Sequence, residues 1–166
     1  MRRALTVIAV ILCSVAIAGS TALTSANASS AAATKEGFQF ASGSTTSYIY
    51  SAIATGTFTA GGTVKVNAAT NPEEIVFPLG TINVLFHPGK TSAHITAASC
   101  LYTQVEDGTY KLDGGTGAYR NIRGSGTSVS HTLAVMARNA KGKCTWQKNP
   151  LAYQQVITQE GTVSGW

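Results

Sequence analysis

The sequence predicts an all-β protein, an eight-stranded antiparallel closed barrel with a β-sandwich as the alternative, and three observations carry that prediction. Residues 47–60 alternate: Tyr48, Tyr50, Ala52, Ala54, Gly56, Phe58 and Ala60 fall on one side. Ser47, Ser51, Thr55, Thr57 and Thr59 fall on the other, interrupted by Ile49 and Ile53. Period two is the mark of a strand whose side chains point to opposite faces. Turn signals recur along the chain, as Gly61-Gly62, Asn71-Pro72, Pro88-Gly89 and Asn149-Pro150, and break it into hairpin-sized pieces. Helical periodicity is nearly absent. Sequential hairpins make a barrel or a sandwich, and long strands favour the barrel, because closure removes edges that would template aggregation.

The elements follow in order. Residues 36–42 form a short first strand through Phe38 and Phe40, and residues 43–46 a turn. Residues 47–60 are the clearest strand, Gly61-Gly62 a two-residue hairpin, and residues 63–68 the partner strand. Residues 69–74 read as a loop. Two apolar pieces, 75–79 and 81–86, flank a break at Pro78 and Gly80, since proline cannot donate to a ladder. Pro88-Gly89 is a turn, residues 91–105 a long strand, and Glu106-Asp107-Gly108 a turn into residues 109–112. Residues 125–138 form a strand with Val129, His131, Leu133 and Val135 on one face. Residues 143–147 form another, holding Cys144 and Trp146, and residues 151–163 close the fold.

Residues 1–28 read as a signal peptide: Arg2 and Arg3 precede an apolar run over residues 4–18, and Ala26-Asn27-Ala28 is an A-x-A site with cleavage before Ser29. The run is short for a membrane span, so no membrane is expected as a partner after cleavage, and secretion is the expected localisation. Residues 29–36 are a flexible leader rich in Ser, Ala and Thr, and residues 37–166 the barrel domain. Loss of Arg2 and Arg3 leaves the domain mildly basic. No run of Lys and Arg interleaves with aromatics, which argues against nucleic acid. The basic segment 138–148 reads as a solvated hairpin tip. Cys100 and Cys144 remain after cleavage, and an oxidising compartment makes a disulfide the expected state, with two buried thiols as the alternative. Neither cysteine sits in metal-ligand spacing, so no metal and no cofactor is expected.

Residues 112–127 contain Gly114, Gly115, Gly117, Gly124 and Gly126. The Gly114-Gly115 pair suits a sharp reversal. Tyr119 and Ile122, three apart, suit one helical turn with one apolar edge. The stretch is neither a P-loop nor a dinucleotide fingerprint, because the Gly-Lys-Ser/Thr ending and the long following helix are missing. It resembles a motif of the allene oxide cyclase and dirigent barrel superfamily. Gly114-Gly115-Thr116-Gly117 matches the turn, Tyr119 the aromatic that follows, and Arg123-Gly124 the second element. That resemblance implies a secreted bacterial member with the same closed barrel, and a homo-oligomer as one possible assembly. It also implies a cyclase- or dirigent-like activity on a hydrophobic intermediate, although the acidic residues expected on the first long strand have no match in residues 47–60.

Candidate chemistry is sparse. No Gly-x-Ser-x-Gly elbow accompanies the many serines, so serine hydrolysis has no support. Glu73-Glu74 and Glu106-Asp107 fall in expected turns and read as solvated, because neighbours on a strand face opposite ways. His87 sits beside a turn, His94 on a strand beside Tyr102 and Cys100 by parity, and His131 among apolar neighbours. The face that alternates small residues with aromatics offers a lumen able to hold one small ligand, or an outer contact if it faces the other way. The expected function is therefore non-enzymatic binding of a small apolar or aromatic ligand, or an interaction module. Tyr48, Tyr50, Phe58 and His131 are the candidate ligand-binding residues, and no catalytic residue is assigned. The alternatives are a cyclase- or dirigent-like enzyme, with His131, Arg138 or His94 orienting an intermediate, and a structural extracellular protein.

Overall fold

The computed structural model describes residues 32–46, 49–65 and 73–166. The signal-peptide segment, Tyr48 and the start of the expected leader lie outside these residues. The barrel predicted from the sequence is present and closed, and the sandwich alternative falls away. Ten strands occur among the described residues: β1 (Thr34–Ser42), β2 (Ile49–Gly56), β3 (Ala60–Lys65), β4 (Glu73–Phe77), β5 (Gly80–Thr96), β6 (Leu101–Gly115), β7 (Arg123–Val135), β8 (Ala137–Arg138), β9 (Cys144–Thr145) and β10 (Ala152–Ser164). Eight of them pair antiparallel in the order β1-β10-β7-β6-β5-β4-β3-β2, and β2 returns to β1; β8 and β9 form a small separate ribbon.

Several boundaries differ from expectation, each for a local reason. β1 begins at Thr34 rather than after a leader ending at residue 36, and Glu36 is buried within it. The hairpin after β2 turns at Thr57–Thr59, since Ala54 pairs with Ala60. Gly61 and Gly62 therefore lie within β3, where a Cβ on Gly62 would collide with the Val76 carbonyl of the neighbouring strand. Pro88-Gly89 makes no turn: β5 runs through it with a bulge, the register slipping between Pro88 and Thr91. Glu106-Asp107-Gly108 also stays in strand, because its partners in β7, Ser130, Val129 and Ser128, hold the ladder straight. The reversal between β5 and β6 instead falls at residues 97–100, where Cys100 takes a left-handed backbone (φ 55°).

One end of the barrel is plugged. Phe58 lies with its ring centroid 6.2 Å from Phe38, 6.0 Å from Phe77, 5.2 Å from Tyr119 and 5.0 Å from Trp166. Tyr119 comes from the expected single helical turn, Gly117–Tyr119. Gly114 (φ +74°) and Gly117 (φ +57°) shape that corner with backbone angles side chains resist. The corner docks on the β4–β5 turn through Ala118 N–H to the Leu79 carbonyl at 2.9 Å. Ile75, Ile82, Leu112, Ile122 and Val163 fill the space beneath the rings. Aromatic burial of this kind, with edge-on ring contacts, supplies the largest share of core energy per residue.

Candidate functional site in the open half of the barrel

Away from the plug, the character of the lumen changes. β7 turns Ser128, Ser130, Thr132 and Ala134 inward, and β10 adds Gln155, Ile157 and Gln159. A cavity of about 150 Å³ lies here, lined by Phe40, Tyr50, Val64, Glu73, Phe86, Glu106, Ser130, Gln155, Ile157 and Gln159. Phe40, Val64, Phe86 and Ile157 form apolar walls, and the polar groups stand between them.

These polar groups are ordered by one another. Tyr50 Oη donates to Gln155 Oε1 at 2.7 Å, and Tyr153 Oη donates to the same oxygen at 2.8 Å. The Gln155 amide then donates to Ser130 Oγ at 2.8 Å. On β6, the next strand beyond β7, Tyr102 Oη donates to Gln104 Oε1 at 2.5 Å, and the Gln104 amide reaches Glu106 Oε2 at 3.4 Å. Trp146 stands edge-on to Tyr102, its ring centroid 4.7 Å away. The Cys100–Cys144 disulfide ties the β5–β6 reversal to β9, two residues before Trp146.

Burial sets the electrostatics. Desolvation pushes the Glu73 carboxyl above the ordinary carboxylate range. Burial, helped by Tyr153 and Glu73, pushes the Tyr50 phenol up to about 12. Deeper toward the plug, Glu36 is only 3% exposed; burial raises its pKa, against the lowering effect of the Phe58 N–H that donates to it at 3.2 Å. Glu36 Oε1, Tyr110 Oη, Ser128 Oγ and Gln159 Oε1 are buried without a hydrogen-bond partner among the described residues. Such groups are uncommon in folded proteins and each carries a desolvation cost.

Of the candidate ligand-binding residues, Tyr50 lines the cavity. Phe58 faces inward but belongs to the plug at the other end. Tyr48 lies outside the described residues. His131 requires correction: it is exposed on the outer face, paired with Val105 and Val156. Val129, Leu133 and Val135 share its outer parity, and the small residues of the other parity face the lumen. His94 is likewise exposed. Arg138 binds the carbonyls of Ala98 at 2.7 Å and Gly142 at 2.6 Å, a clamp on two turns outside the lumen. The three residues named for an orienting role therefore do not meet in the barrel.

Glu73 and Glu106, expected in solvated turns, both line the cavity. The signal was present. Glu73 shares its parity with Ile75 and Phe77, and Glu106 shares its own with Tyr110 and Leu112. Reading both as turns cut each from the strand that positions it. Among the described residues no group of three or more His, Cys, Asp or Glu side chains gathers as a metal site. Comparison with protein-family models, with curated proteins and with solved structures found no match.

Proposed function

We propose that this chain is an exported binding barrel of the allene oxide cyclase and dirigent plan, taking one small, ring-sized molecule into the open half of its lumen. The cavity is the observation that carries the reading. Its volume, about 150 Å³, equals that of an apolar cavity able to take up benzene, and apolar walls with a few fixed polar groups are the usual makeup of a small-molecule site. Export is supported by the Cys100–Cys144 bond, since such bonds persist in oxidising compartments.

A second reading, acid–base catalysis on a hydrophobic intermediate, is favoured by one observation: two carboxylates share the cavity, and burial raises the pKa of one of them, Glu73, the direction that suits a proton donor.

Calorimetric titration with phenol and benzyl alcohol tests the binding reading. Saturable binding that Ile157→Phe abolishes without lowering the melting temperature is the expected result. Equal binding by that filled variant would place the ligand elsewhere and refute the assignment.

A further inference from the structure

Resting on the binding reading above, we infer that the ligand is an organic cation, a protonated amine on one ring or an equally small apolar group, with its ammonium held between Glu73 and Glu106. The groups that face the cavity set its charge. Its charged lining groups are both acidic: Glu73 from β4 and Glu106 from β6. No Lys, Arg or His lines it, and the ion pair among the described residues, Arg123 with Asp113, lies elsewhere. A desolvated carboxylate without a counter-charge is costly, and an incoming cation removes that cost.

Hydrogen bonding points the same way. The hydroxyls of Tyr50 and Tyr153 and one N–H of the Gln155 amide are spent on neighbours. The two carboxylates are less used. Glu73 receives no hydrogen bond among the described residues, and Glu106 receives one long bond from Gln104. Independently of the carboxylates, Gln159 is only 4% exposed, lines the cavity, and has Oε1 without a partner. An ammonium brings three donors, with its charge, to these acceptors. Phe40, Phe86 and Tyr50 supply ring faces of the kind that attract a cation.

The test compares three ligands with one ring in common, benzylamine, benzyl alcohol and benzoate, by calorimetric titration of the intact, disulfide-bonded chain near neutral pH. Benzylamine should bind about tenfold more tightly than benzyl alcohol, the size of one charge-assisted contact. Benzoate should not bind measurably. Glu73→Gln and Glu106→Gln, each made separately, should remove most of the preference for benzylamine over benzyl alcohol. Added salt should weaken benzylamine alone in the wild-type chain, a readout that needs no variant. Benzyl alcohol binding as tightly as benzylamine would overturn the cation assignment and leave the binding reading standing. Benzylamine preference unchanged in both variants would also overturn it. Failure of all three ligands to bind would overturn both.

Discussion

Tyr50 and Gln155, 105 residues apart in the chain, meet at 2.7 Å across the open half of the barrel. Tyr50 stands on β2 and Gln155 on β10, with β1 between them. The bond fixes the depth of the cavity wall, because Gln155 cannot swing inward while it accepts from Tyr50 and Tyr153 and donates to Ser130.

Removing one donor should show in two ways. Tyr50→Phe should destabilise by about 1 kcal/mol in urea titration, the ordinary net value of one such bond. Burial pushes the phenols of Tyr50 and Tyr110 up to about 12. Phenolate absorbance should therefore rise below pH 11 for the more exposed tyrosines only. The double variant Tyr50→Phe/Tyr110→Phe should lose no absorbance change in that range. A loss there would mean that the two phenols titrate like exposed ones.

The plug is predicted to be structural. Phe58→Ala removes a ring packed against four others and should cost about 3–5 kcal/mol, read from the urea midpoint. Benzyl alcohol affinity should change little, because Phe58 lies at the end away from the cavity. A large loss of affinity in a variant that is still folded would return Phe58 to the ligand site.

Stability should fall as pH rises above the ordinary carboxylate pKa. Glu36 and Glu73 both have folded-state pKa values raised by burial. The folded chain thus holds those protons more tightly than the unfolded chain. Their contribution is fully present below the ordinary carboxylate pKa and is lost as pH climbs through the raised values. Glu36→Gln, which keeps an acceptor for the Phe58 N–H, should raise the melting temperature near pH 8 and flatten its pH dependence. A lower melting temperature at that pH would show that the ionised carboxylate stabilises the fold.

The Cys100–Cys144 bond closes a long segment, with a sequence separation of 44. In the chain-entropy model that contributes about 4 kcal/mol. The paired variant Cys100→Ser/Cys144→Ser should lose about that much in chemical denaturation. Intact mass after alkylation should show two labels only when the wild-type chain is reduced first.

Much of the architecture was legible from residue patterning. Tyr50, Ala52 and Ala54 share one parity and all face inward, because a closed barrel has one apolar interior. The Gly114 and Gly117 corner was legible because positive φ selects glycine. The site was harder to see. On β7 the large apolar residues Val129, Leu133 and Val135 face outward and Ser128, Ser130 and Thr132 face in, so hydrophobic pattern alone assigns the wrong face. Pro88 and Gly108 look like turn residues. Here a bulge absorbs Pro88, and Gly108 gives room to the Phe86 ring, which would lie 2.8 Å from an added Cβ. Long-range pairing decided both positions, and with them the placement of Glu106.

The account rests on a ligand entering the half of the lumen away from the plug, and amide chemical-shift mapping with benzyl alcohol tests that most directly. The account predicts perturbations gathered at Phe40, Tyr50, Val64, Phe86, Ser130, Gln155 and Ile157. Perturbations gathered instead on the outer face, around Thr103, His131 and Leu133, would contradict it.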